Sequence, residues 1–196
     1  DKLSLHGQIV SNFMDRRHID LQKKVVRAML ELCNRLEAGI LVHHSGAALL
    51  GAGENGADLD QLERDALREM ADVAKGYGVR IALENIFTTE SGQYRQTPRQ
   101  VAETVRAIDH DNVVALIDFS HAYIESTYRG LDFRDQLRAM APVAGHLHVH
   151  DSFGRPEGFY GPDQLQESTA LGIGDLHMPL GWGDIDWESI FSELTF

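Results

Sequence analysis

Short apolar runs alternate with longer amphipathic stretches along this chain, and few folds accept that pattern. Residues 3–5, 39–42, 79–83, 113–117 and 145–149 are rich in Val, Ile and Leu and read as buried strands. Between them lie helix-like segments. Residues 19–36 carry Leu21, Val25, Val26, Met29, Leu30, Leu32 and Cys33 close to an i, i+3, i+4 spacing. Residues 59–77 repeat the pattern with Leu62, Ala66, Leu67, Met70, Val73 and Ala74, and Gly76 and Gly78 offer a stop. Residues 98–109 follow Thr97 as N-cap with Pro98 in the first helical position. Residues 131–140 and 186–194 complete the helices.

Strands spaced roughly 30–40 residues apart, each followed by a helix, are the mark of a parallel sheet built from βαβ units. The first strand is not followed by the Gly-rich turn that a dinucleotide-binding open sheet wants. Polar, ligand-type residues end nearly every strand, whereas an open sheet gathers its site at one switch point. The expected fold is therefore an α/β chain of the TIM (β/α)8 barrel class. Such a barrel has eight strands and usually about 250 residues. This chain has 196 residues, five clear strands and a weak one at 173–177. It opens on a strand and stops after a helix, so the barrel is expected to lack its first and last strands here. Residues 1–196 read as a single domain. The Gly/Pro-rich stretch 151–183 reads as a functional loop, with Phe153, Phe159 and Tyr160 either walling the site or packing the loop down.

Charge narrows the partners. The formal net charge is −12, from 18 basic and 30 acidic residues, and the basic pairs Arg16–Arg17 and Lys23–Lys24 lie apart. Nucleic-acid binders gain most affinity by neutralising phosphates with Lys and Arg. A small-molecule substrate is favoured over DNA. No apolar run approaches the ~20 residues of a membrane span. The lone Cys33 excludes an internal disulfide, and no signal peptide precedes the first strand, although the chain begins at Asp1 rather than Met. A cytoplasmic setting is the expectation, and a homo-oligomer is compatible with the sequence.

Histidine carries the chemical signal. Of the 10 histidines, His18 and His110 lie in polar surroundings and are expected to face solvent. The other eight fall in or just after strand-like runs. Successive strand ends read Leu5-His6-Gly7, Val42-His43-His44, Leu83-Glu84-Asn85, Asp118-Phe119-Ser120-His121 and His146-Leu147-His148-Val149-His150-Asp151, and the loop adds Asp175-Leu176-His177. Each alone has a plain structural reading. A single His is more often a hydrogen-bonded support than a ligand, Glu84 could be an ion-pair partner, and Asp118 with His121 could be a helix N-cap and its neighbour. His146, His148 and His150 share one face of their strand, and His146, the deepest, reads as a core or supporting residue. An apolar strand ending in an unpaired charge is costly, however. Five in succession point to a common cause, which a shared metal cluster supplies. Imidazole mixed with carboxylate suits Zn, Mn, Fe or Co.

These motifs, in this order, resemble the xylose isomerase-like barrel superfamily, which includes sugar isomerases and epimerases and zinc-dependent AP endonucleases. The resemblance covers essentially the whole chain and includes Leu180-Gly181-Trp182-Gly183-Asp184-Ile185. It implies metal ligation by His6, His44, Glu84, Asp118, His121, His148, Asp175 and His177. The isomerases use a smaller set, here Glu84, Asp118 and His148, around one Mn, Mg or Co; the endonucleases use the full set for three zinc ions. A divalent cofactor of one to three ions is therefore expected.

The function that the resemblance implies is isomerisation or epimerisation of a sugar, a sugar phosphate or a related keto-polyol. Glu84, or a glutamate on an eighth strand, would move the proton next to a metal-bound carbonyl, and His121 would stabilise the developing oxyanion. His44, His150 and Arg155 are candidates for orienting the substrate. Two other readings compete. One is zinc-dependent phosphodiester hydrolysis at abasic sites, and the other is a non-catalytic barrel that binds metal.

Overall fold

The structure is a computed structural model in which residues 2–51, 54–156 and 165–196 are described. In chain order the elements are β1 (Leu3–His6), α1 (Ile19–Leu36), β2 (Ala38–His44), β3 (Ala47–Leu49), α2 (Gly56–Tyr77), β4 (Arg80–Glu84), β5 (Gln93–Arg95), α3 (Pro98–Ile108), β6 (Val113–Asp118), α4 (Phe119–Arg129), α5 (Phe133–Met140), β7 (Ala144–His148), α6 (Leu165–Leu171) and α7 (Trp187–Glu193).

Five strands form one curled parallel sheet in the order β1-β2-β4-β6-β7. Each strand lies beside the next one in sequence, so the order never reverses as it does in a doubly wound sheet. This is part of a barrel wall, as the strand ends suggested. Two faces result. Leu41, Ile81, Leu83, Ala115 and Ile117 turn outward and pack with helix residues such as Val26, Leu30, Leu67, Met70, Val101 and Leu137 in one continuous core. Burying each such Leu or Ile is worth about 1.5–3 kcal/mol. The inner face carries a small apolar layer of Val42, Ala82 and Leu116, flanked by Ile40 and Val114. Pairing His44 with Glu84 and Asp118 with His148 puts a polar layer directly above it.

Local chemistry sets the helix ends. Asn55 caps α2 by accepting from the Asp58 amide, and Gly78 closes that helix at φ 67°. Thr97 and Gln100 form a reciprocal capping box on α3, with Pro98 at its start. α4 starts immediately after β6 because Asp118 is its N-cap, with Oδ1 accepting from the His121 amide at 2.9 Å.

Three readings need correction. Residues 173–177 form no strand; only isolated bridges join Asp151 to Met178 and Arg155 to Ile173. The antiparallel pair of β3 and β5 was not expected, since three residues each give no readable period. His110 does not face solvent: its side chain is 18% exposed, its Nδ1 accepts from the Asn112 amide at 3.0 Å and its Nε2 lies 3.5 Å from Asp72. Phe159 and Tyr160 lie outside the described residues. No helix among the described residues is long and apolar enough to cross a membrane.

Candidate metal centre

The polar layer converges on Glu84, which is 1% exposed at the end of β4. Its Oε2 lies 3.6 Å from His6 Nε2 and 3.4 Å from His44 Nε2. Its Oε1 lies 3.0 Å from His148 Nδ1 and 3.4 Å from His121 Nδ1. Asp118 stands beside it, with Oδ2 2.8 Å from His150 Nε2 and 3.6 Å from His148 Nδ1. Asp175, from the loop, closes the ring: Oδ2 is 3.2 Å from His121 Nε2 and 3.3 Å from His177 Nε2. His177 sits at φ 47°, a left-handed backbone uncommon outside glycine.

Supporting contacts hold these groups in place. The Asn85 side chain donates to the Asp118 carbonyl at 3.0 Å and accepts from its amide at 2.9 Å, locking the end of β6 to that of β4. His121 Nδ1 lies 3.1 Å from the Asn85 carbonyl, which favours a proton on that nitrogen. The Ser120 hydroxyl donates to Asp175 Oδ1 at 2.8 Å. Asn85 stands in the Leu83-Glu84-Asn85 motif with no role expected of it; its position directly after a strand-end carboxylate was the available signal.

The electrostatics follow from crowding. Burial alone would raise the Glu84 pKa, but His148, His6 and His121 bring it down to about 2. Burial is likewise outweighed at Asp118, which neighbouring imidazoles hold far below the usual carboxylate range. Burial would lower His121 and His148, yet the carboxylates around each raise both to about 9. His44 goes the other way, down to about 4, because burial exceeds the pull of Glu84.

Two observations fit this donor set to metal ions. Glu84 Oε2 and His150 Nδ1 are buried with no hydrogen-bond partner among the described residues. The donor separations also match: two ligand atoms held tetrahedrally at about 2.1 Å from one ion stand about 3.4 Å apart. Three groups bring ligand atoms within 4.8 Å of one another: His6, His44 and Glu84; Glu84, Asp118 and His121; and His150, Asp175 and His177. Glu84 belongs to two of them.

The eight ligand candidates expected from the sequence, His6, His44, Glu84, Asp118, His121, His148, Asp175 and His177, line one cavity of about 360 Å3. His150, expected to orient substrate, instead sits among ligand atoms. Arg155 is not brought into this cavity. Its guanidinium donates to the Leu171 carbonyl and lies 5.3 Å over the Phe153 ring, because the loop turns it outward. His146 points the same way as His148 but lower, toward Ser4, Ile40 and Arg80 at the opposite end of the sheet. His43 faces the outer core, where it packs on Phe13 at 4.5 Å and burial lowers its pKa to about 3.

A parallel wall of sequentially ordered strands, with its polar ligands gathered on the rim after the strands, defines a (β/α)-barrel protein with a rim site. Residues 3–196 match the family described as xylose isomerase-like TIM barrel, and the chain belongs to that family. An uncharacterized protein of Methanocaldococcus jannaschii is 23% identical over 181 residues, which is 92% of this chain and 55% of that protein. The chain thus spans about half the length of this curated relative. Among solved structures, the IOLI protein with a bound zinc atom superposes with a TM-score of 0.74 at 23% identity, over 99% of this chain and 64% of that one. A D-tagatose 3-epimerase-like protein gives 0.73 at 21% identity, over 98% and 65%.

Proposed function

We propose that this chain carries the metal-binding rim of an isomerase or epimerase acting on a sugar, a sugar phosphate or a related keto-polyol. The observation that carries this reading is Glu84: a fully buried carboxylate with one orphaned oxygen and four imidazoles within 3.6 Å. Bound zinc, manganese, cobalt or magnesium would act as a Lewis acid toward adjacent carbonyl and hydroxyl oxygens. The zinc in IOLI and the epimerase-like neighbour support this chemistry.

Within that reading the chain's own residues divide the work. Glu84, Asp118 and His148 would hold the ion. Glu84, with its pKa near 2, is ionised at neutral pH, and it or a glutamate on an eighth strand takes the proton next to the carbonyl. His121 gives its Nδ1 proton to the Asn85 carbonyl, and its Nε2, beside Asp175, stabilises negative charge developing on substrate oxygen. His44, kept neutral by burial, lines the approach and orients hydroxyl groups, while His150 stands among the ligand atoms. The apolar layer of Val42, Ala82 and Leu116 beneath keeps water from that side.

The test is solvent exchange. The metal-loaded chain in deuterated water should place deuterium next to the carbonyl of a ketose, and Glu84→Gln should lose metal and exchange together. Exchange that persists in Glu84→Gln would sink the assignment. One observation favours a second reading. The third ligand group, His150, Asp175 and His177, allows a three-zinc hydrolase. About three zinc ions per chain and cleavage at abasic sites, without deuterium uptake, would establish it.

A further inference from the structure

A second cavity, of about 290 Å3, adjoins the ligand cluster. The two share His44 and Ile9 in their walls. Arg95, at the end of β5, lines the second one and is largely removed from water. Its Nε donates to Gln93 Oε1 at 3.0 Å and its Nη1 to the Ser45 carbonyl at 3.3 Å, but no described carboxylate forms an ion pair with it.

The acids facing this guanidinium are committed elsewhere. Glu125 is held by Arg129 Nε at 2.5 Å and by the Thr88 amide at 2.7 Å. Glu63, wholly buried, accepts from the Gly46 amide at 2.6 Å, and burial pushes its carboxyl up to about 8, so at neutral pH it is mostly uncharged. Asp60, on the same helix, accepts from the Tyr94 hydroxyl and the Gln96 amide. A half-buried cation with no ion pair of its own, sharing Glu125 with Arg129, is unfavourable, and more conspicuous in a chain of net charge −12. Ser11 and Ser45 also line this cavity; both are almost fully buried, and their hydroxyls have no hydrogen-bond partner.

We infer that Arg95, with Ser11 and Ser45, forms an anion subsite that takes a carboxylate or phosphate substituent of the substrate. The polyol end of the same molecule then reaches past His44 to the Glu84 cluster. Arginine suits the task because its planar fork meets two oxygens of either anion at once. Only the polyol half of this statement rests on the isomerase reading.

Calorimetric titration of the chain with inorganic phosphate and with glycolate tests the subsite, in the presence of chelator and again with metal. Binding of either anion in chelator is expected. Arg95→Gln should weaken it about tenfold to a hundredfold, and Arg95→Lys should recover part of the loss. The tighter of the two anions names the substituent. Circular dichroism checks that Arg95→Gln is folded; should it not fold, Ser45→Ala serves, with weaker binding of the same anion expected. Equal binding by wild type and a folded variant would overturn the subsite, as would anion binding only after metal is added. Metal stoichiometry and deuterium exchange report on the isomerase reading separately. Intact anion binding with no exchange on any sugar would remove that reading and leave the subsite standing.

Discussion

At Glu84 two of the four neighbouring imidazoles are, without a metal, held protonated by the carboxylates around them. His121 and His148 both sit near 9. A metal ligated by His148 must displace its proton, so apparent affinity should rise with pH up to about 9 and level off above it. Calorimetry at pH 7 in buffers of different ionisation enthalpy should register about one proton, that of His148, released per ion bound at this cluster. Release of none would place the ion elsewhere. Asn85 offers a second check at this scale. Asn85→Ala leaves the Asp118 amide and carbonyl without their buried partner, a loss of about 1–3 kcal/mol in stability. Metal affinity should also drop about tenfold to a hundredfold, read by competition with a chelating dye.

Among the elements, the junction of β6 and α4 is the most instructive. One residue, Asp118, ends the strand, caps the helix and presents its other oxygen to His148 and His150. Asp118→Asn keeps the cap and removes the charge; Asp118→Ala removes both. In denaturant unfolding the alanine variant should therefore be about 1 kcal/mol less stable than the asparagine one. The sequence pointed to a cap at Asp118 but not to the helix it starts, since no loop or turn residue separates α4 from its strand. β3 and β5 escaped for a different reason: three-residue strands have no period to read. The long helices were legible because their apolar spacing, caps and stops all lie within the segment itself.

For the whole molecule, stability rests on the outer core between sheet and helices, with the inner layer much smaller. Leu67, fully buried on α2, belongs to the outer core. Leu67→Ala should cost about 2–5 kcal/mol in urea unfolding, with an unchanged dependence on denaturant. The sequence alone determined the parallel strand–helix architecture and the rim of His, Asp and Glu. Periodicity and polarity are properties of neighbouring residues, and they survive without a fold. Tertiary structure decided what those residues do to one another. Strand register made Glu84 the shared centre of the rim, and the same registry drew His150 in among the ligands. Loop paths sent Arg155 outward, and the pairing of β5 with β3 put Arg95, which no motif marked, beside the site. Distances between groups 33 or 64 positions apart depend on how separate strands align and how loops close, and no local pattern encodes either.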